Sequence, residues 1–577
     1  MKNLNPLTAT DFYKTGHVFQ YPEGTELVYS NFTPRSAARA TFDKSTFDDK
    51  VVFFGLQGFI KWFLIDTWNE QFFNKPKEQV VAKYKRRLDN ALGPDAVDMS
   101  HIEALHDLGY LPIRIKALPE GSRVDISVPM FTIVNTVPEF YWVPNYLETG
   151  IIAEIWKSCT SATIAYEYRK LLNKYAAETG APLDFVPWQG HDFSMRGMSG
   201  VGDASSTGAG HLLSFYGTDT INAIDYLEDY YCADSSSELI GGSVPATEHS
   251  VMSISGFDTE IETFRRLITK VYPAGIVSIV SDTWDFWKVM TEYATELKQE
   301  ILNRTPDALG NAKVVFRPDS GNPVKILCGV EVTKLDEFVV SLEAAKGWAL
   351  GMIVDRVHAE TPHGEPGEDY PSQLFSFGGV TYFAEAEIDW NRYDKQYYYI
   401  DGETLDSFEP IELTPVQKGA VECLWDVFGG TINEQGYKVL NPRVGLIYGD
   451  SITLTRANDI LKGLKAKGFA SSNVVFGIGS FTYQYNTRDT FAFALKATYG
   501  RVKGVSSAIY KDPVTDDGTK KSARGLLRVE QEDDKFVLYQ NQTEEQEMMG
   551  ELKTVFENGK LVKETSLREI RTNLGTF

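Results

Sequence analysis

The feature that most constrains the fold is a pattern repeated through the middle of the chain. Short runs rich in β-branched and aromatic residues stop on a polar residue or a glycine, and a helical segment follows. Buried runs that alternate with amphipathic helices are typical of parallel βαβ units. We therefore predict an α/β fold whose core is a β/α barrel or a barrel-like sheet. The segments that carry the pattern are FVPWQGHDFSMRG (185–197), HLLSFYGTDT (211–220), GIVSIVSDTWD (275–285), AKVVFRPDSGNP (312–323), RVGLIYGDS (443–451) and NVVFGIGSF (473–481).

The two ends of the chain have a different pattern. Residues 110–135 alternate apolar and polar side chains around a Pro-Glu-Gly turn, and the C-terminal KTVFENGKLVKE contains an Asn-Gly hairpin signal. We expect both ends to fold together as a second, largely antiparallel α+β domain. The predicted segments are 1–150 and 491–577 for this domain, 151–329 and 431–490 for the barrel, and 330–430 for an accessory insertion that is more structural than catalytic.

Length, charge and cysteine content limit the classes of function. A chain of 577 residues is too long for one compact domain. A formal charge of -22 disfavours nucleic acid and acidic membrane surfaces as partners. The four cysteines form no CxxC pair, which favours reduced thiols in a cytosolic protein. The first residues lack a signal-peptide core, and the apolar stretch 51–65 is interrupted by Gly, Gln and Lys, so we expect a cytoplasmic protein without a membrane span.

Aspartates stand where several of the predicted strands end. In a β/α barrel the active site forms at the carboxyl ends of the strands, because the βα loops meet there. Several carboxylates on one such rim predict a polyol or metal-phosphate site, although any single aspartate could instead cap a helix N-terminus. These residues are Asp192, Asp219, Asp282, Asp319 and Asp450.

Two strand-end turns have the composition of phosphate-binding groups. The GIGS turn, residues 477–480, has glycines that let backbone N–H groups approach a phosphate, although a plain tight turn has the same composition. In RPDSG, Arg317 suits phosphate oxygens, and Asp319 suits ribose hydroxyls or hydrated magnesium. An internal Arg-Asp ion pair is the alternative.

Two further features have a structural and a functional interpretation. Lys511, Lys520, Lys521 and Arg524 lie in YKDPVTDDGTKKSARG, a basic loop that could close over a polyanion or could simply be solvated. His249 lies in the loop GGSVPATEHS, where a lone histidine is more often structural than catalytic.

Taken together and in order, the motifs resemble one known family. The chain is similar to nicotinamide phosphoribosyltransferases, particularly their bacterial and phage forms, over nearly its whole length apart from the insertion. The resemblance implies a type II phosphoribosyltransferase core. The motifs that carry it are ATDFYKTGH, HDFSMRG, FYGTDT, GGSVPATEHS, SIVSDTWD, VVFRPDSGNP, YGDS and TRDTFAFALKATY.

The resemblance implies a reaction, its co-substrates and its residues. Phosphoribosyl would pass from 5-phosphoribosyl-1-pyrophosphate to nicotinamide in NAD salvage, in a homodimer with shared active sites. ATP would phosphorylate His249, and Asp282 and Asp319 would face ribose and magnesium-pyrophosphate. The residues implied for nicotinamide are Phe193, Tyr13 of the second copy, Asp219, Arg196 and Ser278, with Arg317 lining the same pocket. Those implied for ribose and phosphate are Gly449, Asp450, Gly479, Ser480, and Arg488 and Lys496 of the second copy; those for pyrophosphate or ATP are Arg35, Lys511 and Lys520.

The chain departs from the animal members of this family at several positions. Its phosphate loop reads GIGSF where they have a run of glycines, Ala494 stands where they have a phosphate-contacting serine, and they lack the insertion at 330–430. Two alternatives remain: a nicotinate phosphoribosyltransferase on the same scaffold, and a non-catalytic sugar-phosphate-binding paralogue.

Overall fold

The computed structural model describes residues 4–360, 372–386, 388–391, 396–399, 405–510 and 523–577. The strands in chain order are β1 (Thr25–Thr33), β2 (Lys50–Val52), β3 (Ile113–Ala117), β4 (Arg123–Asp125), β5 (Phe131–Asn135), β6 (Gly190–Asp192), β7 (Gly217–Thr218), β8 (Val277–Val280), β9 (Val314–Arg317), β10 (Thr333–Lys334), β11 (Ser372–Phe377), β12 (Val380–Glu385), β13 (Ile388–Asn391), β14 (Gln396–Tyr399), β15 (Ser407–Pro410), β16 (Gly430–Ile432), β17 (Lys438–Leu440), β18 (Val444–Tyr448), β19 (Val474–Ile478), β20 (Ala494–Val502), β21 (Val505–Ala508), β22 (Leu526–Glu532), β23 (Lys535–Gln542), β24 (Lys553–Glu557) and β25 (Lys560–Leu561).

The α-helices range from single turns to one very long helix. They are His17–Gln20, Leu56–Phe59, Lys77–Leu92, Ser100–Leu108, Val143–Thr179, Val186–Gln189, Val201–His211, Ile221–Tyr231, His249–Ser253, Glu260–Arg266, Phe286–Lys288, Ala294–Glu296, Lys298–Leu302, Pro323–Cys328, Leu342–Glu360, Pro415–Lys418, Ala420–Phe428, Leu454–Ala466, Ser480–Tyr483, Glu544–Glu547 and Leu567–Leu574. Ile60–Thr67 continues the second of these with π-helical turns.

The chain divides into two compact units. The first comprises Met1–Ser243, Gly449–Ala457 and Val475–Phe577, and the second comprises Val244–Tyr448 and Asn458–Val474. These two units are defined by contacts in space, whereas the five predicted segments were defined by changes in the sequence pattern. The predicted segment boundaries therefore stay a prediction.

The first unit contains an antiparallel sheet built from both ends of the chain. Its strand order is β21-β20-β1-β5-β3-β24-β25, and each neighbouring pair is antiparallel. The sheet packs on a core that includes Phe32, Phe131 and Phe493, whose rings stack at 4.9 and 5.2 Å between centroids. The helix Val143–Thr179 runs for 37 residues, is buried over much of its circumference, and ends at Gly180 with φ of 64°.

Parallel strands occur in both units, as the repeated sequence pattern predicts. In the first unit β6 lies between β7 and β19, and in the second β9 lies between β8 and β18, with each of these pairs parallel. Every residue of β8 and β18 is buried, which is typical of strands covered on both faces. Each segment quoted for the repeat contains one of these strands, so the predicted parallel α/β core is confirmed.

Residues of the predicted insertion form a small α/β module with a core of its own. The strand order is β10-β11-β12-β15, and the helix Leu342–Glu360 contacts β11 and β12. Leu335, Ile353 and Phe375 belong to a separate buried cluster within this module. This arrangement suits an accessory element, and the role of the insertion stays a prediction.

Candidate active site

In the first unit, the carboxyl end of β6 lies beside a pocket. The backbone N–H of Phe193, the first residue after β6, donates to the carbonyl of Ile478 at 3.0 Å, which fixes the chain direction as the strand ends. The next residues form a short turn, Met195–Gly197. The pocket has a volume of about 350 Å³, within the usual range for small-molecule sites. It is lined by Phe193, Met195, Arg196, Asp219 and Thr220.

Asp219 is anchored at the mouth of this pocket. Its backbone N–H donates to the carbonyl of Asp192 at 2.9 Å. Its Oδ1 accepts a 2.6 Å hydrogen bond from Ser243 Oγ and lies 2.9 Å from His191 Nε2. The pocket therefore combines an aromatic face, a fixed carboxylate and the cation of Arg196. Such a set can bind a flat ligand that donates hydrogen bonds at its edge.

Buried polar groups support the strands next to the pocket. His211 Nδ1 lies 2.7 Å from Tyr483 Oη, and its Nε2 lies 3.0 Å from the carbonyl of Gly217 in β7. Burial lowers the pKa of His211 to about 4, so this imidazole is neutral at physiological pH. A neutral ring in this position holds β7, and with it the start of the Asp219 loop, without adding charge.

The predicted phosphate loop follows β19 in the same unit. A Cβ added at Gly477 would lie 2.5 Å from Cε2 of Phe193 and 2.6 Å from Cα of Gly449, so only glycine fits between them. Gly479 has an extended backbone and precedes the one-turn helix Ser480–Tyr483. Asp450, which follows Gly449, is exposed and accepts from Ser451 Oγ at 3.0 Å.

The remaining predicted residues of the first unit lie in three places. Glu148 is contacted by Lys14 Nζ at 2.6 Å and by Lys496 Nζ at 3.2 Å, and Tyr13, next to Lys14, is 61% exposed. Arg488 pairs with Asp489. Arg35 lines a second pocket of about 550 Å³. Lys511 and Lys520 lie outside the described residues.

In the second unit, carboxylates follow β8 and β9. Asp282 Oδ2 accepts from the backbone N–H of Asp319 at 2.8 Å and from Ser320 Oγ at 2.7 Å. Its Oδ1 is buried and has no hydrogen-bond partner within the described part of the chain. Because a buried carboxylate oxygen is costly without a partner, this atom suits a cation.

Carboxylate oxygens such as those of Asp282 and Asp319 are ligands of the kind that magnesium prefers. The described ranges contain no cluster of three or more His, Cys, Asp or Glu side chains placed to hold a metal ion. Magnesium is commonly held by one or two carboxylates together with substrate phosphates and water. Asp282 and Asp319 therefore fit the predicted magnesium-pyrophosphate role, which stays a prediction.

The loop that carries His249 runs alongside β8. The N–H of Ser278 donates to the carbonyl of Pro245 at 2.8 Å, and the N–H of Thr247 donates back to the carbonyl of Ser278 at 3.0 Å. The N–H of Val280 donates to Thr247 Oγ1 at 2.9 Å. Arg317 Nη2 donates to the carbonyl of Thr247 at 2.6 Å. The loop thus extends the parallel strands by one short segment, and Ser278 uses its backbone to hold it.

His249 is accessible and oriented. Its side chain is 50% exposed. Its Nδ1 lies 3.1 Å from Thr283 Oγ1, and its Nε2 lies 3.9 Å from Asp282 Oδ1. Glu248, its neighbour in sequence, accepts a hydrogen bond from Ser250. An imidazole held in this way is available to a ligand at its open edge.

The structure brings some of the predicted residues together and adds others. Phe193, Arg196 and Asp219 share one pocket, whereas Tyr13 is not among the residues that line it within one copy. The residues that the sequence analysis did not single out are His191, Ser243, Thr247, Thr283 and Ser320. Each of them lies inside a motif already quoted, so membership of these motifs was the available signal.

Two protein-family models match this chain, one over its N-terminal residues and the other over most of the remainder. The model of the nicotinate phosphoribosyltransferase (NAPRTase) family matches residues 188–354 and 391–560, more than half of the chain. The model of the nicotinamide phosphoribosyltransferase N-terminal domain matches residues 5–115.

Full-length relatives and a solved structure are also similar. Nicotinamide phosphoribosyltransferase from Acinetobacter baylyi is 56% identical over 99% of this chain and 97% of its own length. Nicotinamide phosphoribosyltransferase from Xanthomonas campestris pv. campestris is 29% identical over 99% and 98%, respectively. The crystal structure of nicotinate-nucleotide pyrophosphorylase from Pyrococcus furiosus aligns with a TM-score of 0.50 at 13% identity, over 99% of this chain and 95% of that one, which shows a shared fold. In the part of the chain described, no helix is long and apolar enough to cross a membrane.

Proposed function

This chain belongs to the nicotinate phosphoribosyltransferase (NAPRTase) family and, within it, to the nicotinamide phosphoribosyltransferases, and from that premise we propose the roles of its residues in NAD salvage. It transfers phosphoribosyl from 5-phosphoribosyl-1-pyrophosphate to nicotinamide, giving nicotinamide mononucleotide and pyrophosphate. The name of the 56% identical relative supports this activity. The observation that carries the choice of base is the anchored carboxylate of Asp219 in the Phe193 pocket.

Base selection follows from the chemistry of that pocket. An Asp219 carboxylate can accept an N–H of the nicotinamide carboxamide, whereas it would repel the carboxylate of nicotinate. Phe193 offers a ring face on which the pyridine can stack, and Arg196 closes another side of the pocket. Ser278 is assigned to nicotinamide by the resemblance alone.

The transfer step needs groups that stabilise a leaving anion. Breaking the bond between ribose C1 and pyrophosphate gives the sugar oxocarbenium character and leaves negative charge on pyrophosphate. In the proposal, Arg317 and the Asp282–Asp319 pair serve this end of the substrate. Magnesium, when bound by these carboxylates and the pyrophosphate, would neutralise the developing charge. The nicotinamide ring nitrogen supplies the electron pair for the new bond to C1.

Other predicted residues would hold the rest of the sugar phosphate. The 5-phosphate would bind the backbone N–H groups and hydroxyl of Gly479 and Ser480, and Gly449 and Asp450 would contact ribose. Arg35 lines a pocket large enough for a polyanion, which supports its assignment to pyrophosphate or ATP. Lys511 and Lys520 have the same assignment from the resemblance.

We assign an ATP-dependent step to His249. An imidazole nitrogen would attack the γ-phosphorus of ATP, the bond from that phosphorus to the bridging oxygen would break, and ADP would leave. Water would later cleave the phosphorus–nitrogen bond and release phosphate, so that ATP hydrolysis favours product formation. The exposed side chain and its contact with Thr283 support this role.

We also propose a homodimer in which two copies share each active site. Tyr13 is exposed and does not line the Phe193 pocket of its own copy. Lys14 and Lys496 contact the same glutamate, so Tyr13 and Lys496 lie on one part of the molecule. This grouping suits residues delivered together to a second copy, with Arg488 as a further contributor. A cytoplasmic location stays a prediction from the sequence.

One assay separates this proposal from the alternatives. Pyrophosphate release is measured with 5-phosphoribosyl-1-pyrophosphate and magnesium, adding nicotinamide, nicotinate or no base. We expect release with nicotinamide and much less with nicotinate. Preference for nicotinate would identify a nicotinate phosphoribosyltransferase, and release with neither base would favour a non-catalytic paralogue.

A further inference from the structure

We infer that His191, assisted by Ser243, is a positioning residue that sets base selectivity by holding the carboxylate of Asp219. This inference rests on the proposed role of Asp219 in nicotinamide recognition. Its basis is that two side chains from different parts of the first unit converge on one oxygen. Ser243 Oγ lies 2.6 Å and His191 Nε2 lies 2.9 Å from Asp219 Oδ1.

The hydrogen-bond chemistry fixes the tautomer of His191. A carboxylate only accepts hydrogen bonds, so the nitrogen that faces Asp219 must carry the proton. The ring of His191 is also packed tightly on its other side, because a Cβ added at Gly217 would lie 2.8 Å from Nδ1. His191 lies within β6 and is buried, so its ring has little room to move away from Asp219.

His191 also contacts the aromatic wall of the pocket. Its ring centroid lies 4.8 Å from that of Phe193, with 52° between the planes. The buried His191 side chain thus contacts both Phe193, which is proposed to stack on the pyridine ring, and Asp219, which is proposed to bind the carboxamide. Asp219, by contrast, is exposed at the end of a two-residue strand. The hydrogen bonds from Ser243 and His191 to Oδ1 restrict the rotation of this exposed carboxylate.

A fixed carboxylate discriminates better than a mobile one. A mobile Asp219 could turn away from the negative charge of nicotinate and could also lose its alignment with the amide of nicotinamide. Both effects lower the preference for nicotinamide. A hydrogen bond to a charged group is usually worth enough to change such a ratio by about tenfold or more.

The test uses a pair of variants at His191. His191→Phe keeps a ring of similar size and removes the donor, whereas His191→Gln places an amide N–H close to the position of Nε2. The ratio of kcat/KM for nicotinamide to kcat/KM for nicotinate is measured for each, with Asp219→Ser as the reference. We expect His191→Phe to lower the ratio about tenfold and His191→Gln to lower it by less than about threefold. The KM for 5-phosphoribosyl-1-pyrophosphate should change much less than the KM for nicotinamide.

Ser243 provides a second and independent pair. Ser243→Ala should lower the same ratio, and Ser243→Thr, which keeps the hydroxyl, should restore most of it. These variants decide the question if His191→Phe does not fold. If Asp219→Ser lowers the ratio while His191→Phe and Ser243→Ala keep the wild-type value, the inference is wrong. If the wild-type protein does not prefer nicotinamide, it is the proposed function that fails.

Discussion

His249 is the residue with the most specific chemical role in this account. We predict that His249→Ala abolishes ATP hydrolysis and the stimulation of nicotinamide mononucleotide synthesis by ATP, because the phosphoryl acceptor is removed. A slower, ATP-independent transfer should remain. Wild-type protein incubated with ATP should carry acid-labile, base-stable phosphate, and the variant should not. Ser253→Ala, in the same short helix, is the matched control. A His249→Ala protein that still hydrolyses ATP would show that His249 is only structural.

Glu120 gives a prediction about stability and pH. It is buried and accepts hydrogen bonds from the N–H groups of Gly55 and Gln57 and from Tyr231 Oη. Burial raises its pKa to about 7 despite these bonds. The folded protein therefore binds a proton that the unfolded chain has already released. The free energy of unfolding should consequently fall as pH rises from about 4.5 to 7, by at most about 3 kcal/mol from this group.

Urea unfolding of wild type and Glu120→Gln at several pH values checks this. The variant should lose this fall in stability over that interval, because its amide does not titrate. Parallel curves for the two proteins would show that Glu120 does not titrate there.

At the scale of secondary-structure elements, the loop before His249 depends on Thr247. Its Oγ1 accepts the N–H of Val280 inside β8, at 2.9 Å. Thr247→Val keeps the shape but leaves a buried N–H without a partner, which should lower the free energy of unfolding by about 1–3 kcal/mol. The same variant should also reduce ATP hydrolysis, since the loop orients His249. Thr247→Ser keeps the hydroxyl and should retain both properties. Equal effects of Val and Ser would contradict this reading of the loop.

A substitution at Gly477 tests the contact between β19 and Phe193, which lines the proposed nicotinamide pocket. Gly477→Ala would push a methyl group against the ring of Phe193, so we expect lower stability and a raised KM for nicotinamide. Gly202, in the helix Val201–His211, has open space around its missing Cβ. Gly202→Ala should therefore raise stability by about 0.5–1 kcal/mol. Thermal unfolding and nicotinamide kinetics compare the two. If the KM for nicotinamide is unchanged in Gly477→Ala, the ring of Phe193 does not contribute to binding of the base.

The parallel strands could be predicted because β8, β9, β18 and β19 are compact apolar runs that stop on a polar residue or a glycine. The long helix Val143–Thr179 could not, since it is buried on several sides and lacks a clear polar stripe.

The candidate site was likewise predictable only in part. Asp219 and Asp282 could be predicted as site residues because they lie just after strands, and active sites in this fold form at the carboxyl ends of the strands. Partners such as Ser243, 24 residues from Asp219, are brought near only by tertiary structure, and His191 lies within a strand where side chains are expected to be buried.

At the scale of the whole molecule, the shared active site predicts complementation between chains. Tyr13→Ala removes a side chain that each copy contributes to the active site of its partner. Asp319→Ala removes a carboxylate that each copy contributes to its own active site. Each variant alone should be nearly inactive. Mixing and re-annealing the two should restore part of the activity, because heterodimers contain one intact site. No recovery in samples shown to contain heterodimers would contradict a shared site.

The central claim is transfer of phosphoribosyl to nicotinamide in preference to nicotinate. The most direct measurement is a competition in which equal amounts of both bases react with 5-phosphoribosyl-1-pyrophosphate and magnesium, and the products are resolved by mass. Wild type should give mainly nicotinamide mononucleotide, and Asp219→Ser should shift the products towards nicotinate mononucleotide. Nicotinate mononucleotide as the main wild-type product, or neither nucleotide, would contradict the account.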